Sequence, residues 1–262
     1  MSPTNSLNFK IVALLLALCT LRFFGSEAHA MQKPKHIVLL GASVGKAWSI
    51  ESLPNRIMKN SSLPLSPSAS RPAVFPYRFE YVGEYQFDKS KGLQQILQRK
   101  ENKPDAIFIK ECAAYFPGDL PHYQGLMKRW VRQCQEAKVV PILTTVVPVV
   151  KNRGFVEEVK DMIKSLIGKS TNASRLTSIL EYNDWIKSYA QKEGLVVLDL
   201  EAPLRTSNED RSLKIDLHSG DGLHLNEKAY RLLDQIVLPT LDDIFRKNRQ
   251  KFSMKNTCEG EN

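Results

Sequence analysis

The chain has 262 residues with ordinary apolar (42%) and charged (25%) fractions, a composition that favours one large folded domain over a disordered or fibrous chain. Lysine and arginine outnumber aspartate and glutamate by 37 to 28, but the basic residues are scattered along the chain, so we expect no nucleic-acid binding. The four cysteines and five histidines match no zinc-binding spacing, and we expect neither a metal site nor a cofactor.

Residues 1–30 have the features of a cleaved signal peptide. Lys10 supplies the positive charge, Ile11 to Leu18 form a short apolar run, and Ala28-His29-Ala30 is a small-x-small cleavage site. The apolar run is shorter than the roughly 20 residues that a membrane-spanning helix needs. We therefore expect a folded domain over 31–246 with no stable membrane span, located in the periplasm or secreted. Residues 247–262 are basic and are expected to form a disordered tail.

Strand-like and helix-like segments alternate from Lys35 onward, which is typical of a mostly parallel sheet covered on both faces. The pattern predicts an α/β fold, a three-layer α/β/α sandwich with a flavodoxin-like, five-stranded, mostly parallel sheet. The expected strands are 36–40, 79–82, 106–109, 139–147 and 195–198. The expected helices are 93–99, 123–137, 179–192 and 226–245, with a long loop over 60–76 and a charged amphipathic segment over 155–168.

Ser43 follows the first expected strand in the sequence Gly41-Ala42-Ser43. Open α/β sheets bind their ligands beyond the carboxyl ends of their strands. A glycine at this point lets the chain turn sharply, so that a serine just beyond it presents its hydroxyl to solvent. The alternative is that Ser43 only caps a helix, which on local sequence alone is the commoner role.

A carboxylate and a histidine three residues apart, Asp221 and His224, stand on a glycine-rich loop before the last expected helix. A turn of this length brings the carboxylate to one ring nitrogen while the other faces outward. That pair supplies the base and the group that orients it, which a serine nucleophile requires. The alternative is an ordinary helix start, capped by Asp221 or Asn226, with His224 as a polar surface residue.

Together these segments resemble the SGNH hydrolases, also called GDSL esterases and lipases, over Ile37 to about Leu241. The family's Gly-Asp-Ser matches Gly41-Ala42-Ser43, with alanine in place of aspartate. Its Asp-x-x-His matches Asp221-Gly222-Leu223-His224, including the Leu-Asn that follows. The resemblance implies a catalytic triad of Ser43, Asp221 and His224.

The resemblance also implies an oxyanion hole formed by the backbone N–H of Ser43 and by a glycine N–H from a second block. Gly92 is the candidate for that glycine, with Gly83 as the alternative. The family's third donor is an asparagine after the third strand. Here that segment runs from Lys110 to Tyr115 without one. Loss of a single oxyanion donor costs about 10²- to 10³-fold in rate.

Two groups could replace the missing asparagine, namely Lys110 or a backbone N–H near Cys112. The carboxylate of Glu111 cannot donate, and a buried pairing of Lys110 with Glu111 is equally consistent with a structural role. Trp48, beyond the nucleophile, could line a substrate pocket, although packing in the core is the favoured interpretation.

Two other motifs are weaker matches. Gly41 to Gly45 satisfies the G-x-S-x-G pattern of the α/β-hydrolases, but that serine normally follows several strands rather than one. Gly41 to Lys46 is similar to a phosphate-binding loop but is one residue short, and Ala47 stands where serine or threonine should be.

The sequence therefore predicts an exported serine esterase that acts on acyl esters, including acetyl esters, of a glycan, a lipid or a small molecule. Two alternatives remain open at this stage. One is an acyltransferase that uses the same triad, and the other is a binding or assembly protein that kept the fold without turnover. The missing asparagine favours the second alternative, whereas retention of the triad opposes it.

Overall fold

A computed structural model describes residues 33–60, 75–151 and 170–258. The predicted signal peptide, most of the loop over 60–76 and the amphipathic segment over 155–168 lie outside these residues. The described strands are β1 (Lys35–Gly41), β2 (Tyr77–Gly83), β3 (Ala106–Ile109), β4 (Val140–Thr144) and β5 (Val196–Leu198). The described α-helices are α1 (Ser43–Trp48), α2 (Leu53–Asn60), α3 (Ser90–Leu97), α4 (Leu120–Glu136), α5 (Asn172–Glu193) and α6 (Glu227–Cys258).

The five strands form one sheet in the order β2-β1-β3-β4-β5, and every described pair is parallel. This order is that of the flavodoxin-like sheets, so the predicted fold class is confirmed. The chain runs from β1 to β2 on one side of β1, and then crosses to β3 on the other side of β1. The crevice beyond the carboxyl ends of β1 and β3 is therefore the place where such sheets bind ligands.

Strand β1 shows why the sheet is covered on both faces. Ile37 and Leu39 belong to one buried apolar cluster, whereas Val38 and Leu40 belong to the other. Alternate residues of a strand point to opposite faces, and a strand buried on both sides is therefore apolar throughout. Helix α6 packs into the first cluster, and α4 and α5 pack into the second.

Several helix boundaries differ from the prediction; for example, α5 begins at Asn172 rather than at 179. The short helices α1 and α2 follow β1 where no helix was predicted. Helix α6 continues to Cys258, well past the expected end at 245. Strand β4 ends at Thr144 rather than at 147. Gly194 ends α5 in a left-handed conformation (φ 64°), as expected.

Within the described ranges, no helix is both long enough and apolar enough to cross a membrane.

Candidate active site

Ser43 is the first residue of helix α1, directly beyond the carboxyl end of β1. Ala42 occupies the N-cap position in an extended conformation, and no side chain caps the helix. The hydroxyl of Ser43 is therefore not used as a helix cap, and the capping alternative is wrong. As the first helical residue, Ser43 has a backbone N–H without an intrahelical partner, as its predicted oxyanion role requires.

The turn that presents Ser43 needs a glycine at position 41. A side-chain Cβ at Gly41 would lie 3.2 Å from Cβ and 3.3 Å from the carbonyl oxygen of Lys110, the residue directly after β3. The Gly41 carbonyl accepts the N–H of Glu84 at 2.8 Å. The hydroxyl of Tyr81 lies 3.1 Å from the carbonyl oxygens of both Gly41 and Ala42. Strands β2 and β3 thus fix the turn before the nucleophile.

The loop that carries Asp221 and His224 is a closed turn. Its ends are joined by a bridge between His218 and Leu225. Gly220 and Gly222 have positive φ angles of 120° and 75°, a region that other residues rarely adopt. The carbonyl of Gly222 accepts the N–H of Val150 at 3.0 Å, which ties the loop to the segment beyond β4.

Ser43, His224 and Asp221 form a chain of hydrogen bonds. Oγ of Ser43 lies 3.1 Å from Nε2 of His224, and Nδ1 of the same ring is hydrogen-bonded to Oδ2 of Asp221. When Nδ1 carries the ring proton and donates a hydrogen bond to Asp221, Nε2 presents its lone pair to the Ser43 hydroxyl. The side chains of His224 and Asp221 are about half exposed, at 45% and 46%. The triad is therefore open to a substrate from solvent.

Asp221 is held as a carboxylate. Partial burial raises its pKa, but hydrogen bonds from the His224 ring and from the backbone N–H groups of His224 and Leu223 outweigh burial and lower the pKa to about 2. Both N–H donors lie 2.8 Å from Oδ1. An ionised carboxylate in this place fixes the imidazole tautomer and stabilises the imidazolium that forms when His224 takes a proton.

Asn226 caps helix α6, since its Oδ1 accepts the N–H of Ala229 at 3.1 Å. Asp221 is therefore not required as a cap, and the His224 ring faces Ser43. The predicted cap at Asn226 is confirmed, but the half-exposed His224 ring is hydrogen-bonded to Ser43 and Asp221 rather than free at the surface.

Cys112 follows β3 and brings its side chain to the nucleophile. Its Sγ lies 4.0 Å from Oγ of Ser43. The sequence predicted a role only for a backbone N–H near Cys112, although the position of its side chain after β3 was also informative. A residue just beyond β3 lies at the carboxyl edge next to the end of β1 in this strand order.

Lys110 and Glu111, the two residues before Cys112, are fully buried. Nζ of Lys110 donates to the backbone carbonyl of Glu111 at 2.9 Å, so it does not point at an oxyanion in the open site. Burial lowers the pKa of Lys110 to about 8. Burial likewise raises the pKa of Glu111, against the opposing charges of Lys89 and Lys110. Of the two candidate replacements for the asparagine, the structure favours the segment at Cys112.

The two candidate glycines lie in different settings. Gly92 is buried within α3, and a Cβ there would first meet Glu84 and Leu40, both at 3.2 Å, rather than a residue of the triad. Gly83 ends β2 and is the register partner of Gly41 at the carboxyl edge of the sheet. The role of Gly92 in the oxyanion hole stays a prediction, and the topology favours Gly83.

Trp48 is 1% exposed, and its indole N–H donates to Asp234 at 2.8 Å. Its core-packing interpretation is confirmed, and it does not line a pocket.

Among the described residues, no group of three or more histidine, cysteine or acidic side chains could hold a metal ion.

Solved structures of similar fold include proteins named as a lipase and as a carbohydrate esterase. A GDSL-like lipase from Bacteroides thetaiotaomicron is similar with a TM-score of 0.55 and 14% identity, over 80% of this chain and 89% of that one. The chain has the fold of the SGNH hydrolases. The protein named TesA is similar with a TM-score of 0.53 and 13% identity, over 80% and 99% of the two chains. A carbohydrate esterase of family 3 from Talaromyces cellulolyticus is similar with a TM-score of 0.50 and 16% identity, over 81% of this chain and 99% of that one.

No family model matches the chain, and no curated protein matches its sequence. The fold, rather than sequence similarity, therefore carries the relation to the SGNH hydrolases.

Proposed function

We propose that this protein is an exported serine esterase that hydrolyses acyl esters through an acyl-enzyme at Ser43. The observation that carries the proposal is the hydrogen-bonded chain of Ser43, His224 and Asp221, with 3.1 Å between the nucleophile and its base. A fold shared with esterases and lipases adds support.

Acylation follows from this geometry. Oγ of Ser43 attacks the ester carbonyl while Nε2 of His224 takes the hydroxyl proton. The tetrahedral intermediate places its negative oxygen near the backbone N–H of Ser43 and the segment at Cys112. Collapse of the intermediate breaks the ester C–O bond, and the His224 imidazolium returns the proton to the departing alcohol.

Deacylation repeats these steps with water as the nucleophile. His224 takes a proton from the water, the hydroxide attacks the acyl group on Ser43, and the carboxylic acid leaves. The proton returns to Oγ of Ser43. A sugar hydroxyl in place of water would make the same protein an acyltransferase.

Release of p-nitrophenol from short-chain and long-chain activated esters tests the proposal. We expect turnover by the protein that begins at Met31, and loss of turnover in Ser43→Ala and in His224→Ala. Ser188→Ala on α5 and His122→Ala on α4 are matched controls, because both side chains are exposed and neither takes part in the hydrogen bonds of the triad. Equal rates in the triad variants and the unaltered protein would contradict the proposal. Faster p-nitrophenol release on addition of sugar acceptors would favour transfer.

Export rests on the sequence of residues 1–30, in which Lys10, an apolar run and Ala28-His29-Ala30 follow in the order of a signal peptide. Expression in a bacterial host followed by cell fractionation and N-terminal sequencing tests it. We expect the extracytoplasmic fraction to contain a chain that begins at Met31. A full-length chain in the cytoplasm would contradict export and leave the esterase proposal standing.

A further inference from the structure

A fully buried ion pair lies directly behind the candidate active site. Nζ of Lys89, the residue before α3, donates to Oε2 of Glu111 at 2.7 Å, and both side chains are 0% exposed. Lys89 also donates to the carbonyl of Gln86 at 2.9 Å. The pair joins the start of α3 to the segment that follows β3.

Stability does not account well for this arrangement. Desolvation of two charges can outweigh their attraction, and apolar residues of similar size in place of a buried pair are often neutral or stabilising. In addition, Oε1 of Glu111 is buried without a hydrogen-bond partner among the described residues. A half-satisfied polar group costs free energy, which indicates that the pair serves something other than stability.

The geometry of Glu111 and Cys112 shows what the pair holds. The backbone at Cys112 is extended (φ −117°, ψ 140°). Successive side chains of an extended chain point in opposite directions. Glu111 accordingly points to Lys89, whereas Cys112 points to Ser43, with 4.0 Å between Sγ and Oγ.

The ammonium group of Lys89 also lies over the aromatic ring of Tyr115, which ends the segment after β3. Nζ of Lys89 is 5.0 Å from the ring centroid of Tyr115 and 5.8 Å from that of Phe87. Cation–π contacts of this kind are strongest when they are desolvated. Lys89 thus contacts the segment near both of its ends, at Glu111 and at Tyr115.

We propose that Lys89 and Glu111 are positioning residues, whose buried ion pair holds the segment after β3 so that Cys112 lies against Ser43. The inference rests on the proposed esterase function. Neither residue touches the substrate, because both side chains are fully buried.

The double variant Lys89→Met/Glu111→Leu tests this role, because it removes both partners of the ion pair rather than one. Its thermal unfolding midpoint is expected to equal or exceed that of the unaltered protein. We expect kcat for p-nitrophenyl acetate to fall about 10- to 100-fold, since a displacement of about 1 Å at a reacting site has effects of this size, while KM stays within about threefold. Unchanged kcat in a double variant of unchanged stability would overturn the inference.

Single variants keep the test decisive if the double variant does not fold. Lys89→Arg retains the charge and is expected to retain more kcat than Lys89→Met, whereas equal losses in both would overturn the inference. Asp234→Asn weakens another largely buried ion pair, with Arg56, on the α2–α6 side of the sheet. Asp234→Asn is expected to lower stability without changing kcat. This variant therefore shows whether destabilisation by itself lowers kcat.

Comparison of the unaltered protein with Ser43→Ala comes first. Absence of turnover that depends on Ser43 would overturn the esterase proposal, and the positioning inference with it. Turnover that depends on Ser43 but is insensitive to the buried pair would overturn the positioning inference alone.

Discussion

Oγ of Ser43 lies 3.1 Å from Nε2 of His224, although 181 positions of the chain separate the two residues. Strand β1 and the loop before α6 bring them together at the carboxyl edge of the sheet. Asp221 completes the arrangement through Nδ1 of the same ring. The chemical behaviour of the site should therefore depend on the tautomer that Asp221 imposes.

Asp221→Asn is expected to lower kcat about 10²- to 10⁴-fold with little change in KM, because an amide in place of the carboxylate favours the wrong imidazole tautomer. Ester hydrolysis at pH 7 measures this effect. The matched control is Asp216→Asn, since Asp216 is exposed and pairs with Lys228 rather than with His224. A loss below twofold for Asp221→Asn would argue against the triad.

Cys112→Asn is expected to raise kcat about 10-fold or more. An asparagine amide placed 4.0 Å or less from the nucleophile can donate to a developing oxyanion far better than a thiol. Cys134→Ala is the control, because Cys134 is a free, fully buried cysteine on α4 away from the triad, and its removal should change stability but not kcat. A lower kcat for Cys112→Asn would show that the oxyanion is held elsewhere.

Removal of the Asp234 carboxylate is expected to destabilise the fold by about 3–5 kcal/mol, because it leaves Arg56 and the buried Trp48 indole without their acceptor. Urea denaturation of Asp234→Ala measures the change in the free energy of unfolding. Glu136→Ala, at an exposed position on α4, should stay within about 0.5 kcal/mol. A comparable, small effect in both variants would contradict the packing described for Trp48.

The contribution of Lys110 to the free energy of unfolding should rise with pH above about pH 8. Burial lowers the pKa of this lysine to about 8 from 10.5, so the unfolded chain keeps a proton that the folded state has released between these values. At about 1.36 kcal/mol per pKa unit, the contribution is about 3 kcal/mol across this window. Lys110→Met should lack this rise when unfolding free energies are measured from pH 7 to 10.5. An equal pH dependence in both proteins would contradict it.

Local patterns predicted the strands and the Asp221–His224 pair because each depends on residues that are close together in the sequence. Apolar runs such as Ile37 to Leu40 identify buried strands, and the three-residue spacing of Asp221 and His224 identifies an orienting pair. The carboxyl-edge rule placed Ser43 at the ligand-binding edge of the sheet, and the resemblance to the SGNH hydrolases linked it to that pair.

Features that depend on pairs distant in sequence could not be predicted in this way. Nothing near Lys89 indicates that its partner is Glu111, 22 positions later. The same holds for Trp48 and Asp234, which are 186 positions apart. Helix α1 was missed because its six residues include a glycine and carry no cap.

Covalent labelling of the nucleophile tests the central claim most directly. The protein is treated with a fluorophosphonate, which phosphonylates activated serines with loss of fluoride, and the modified peptide is identified by mass spectrometry. We predict one adduct on Ser43 in the unaltered protein and none on Ser43 in His224→Ala, whose fold is checked by thermal unfolding. An unmodified Ser43 in the folded, unaltered protein, or equal labelling in His224→Ala, would contradict a serine nucleophile activated by His224.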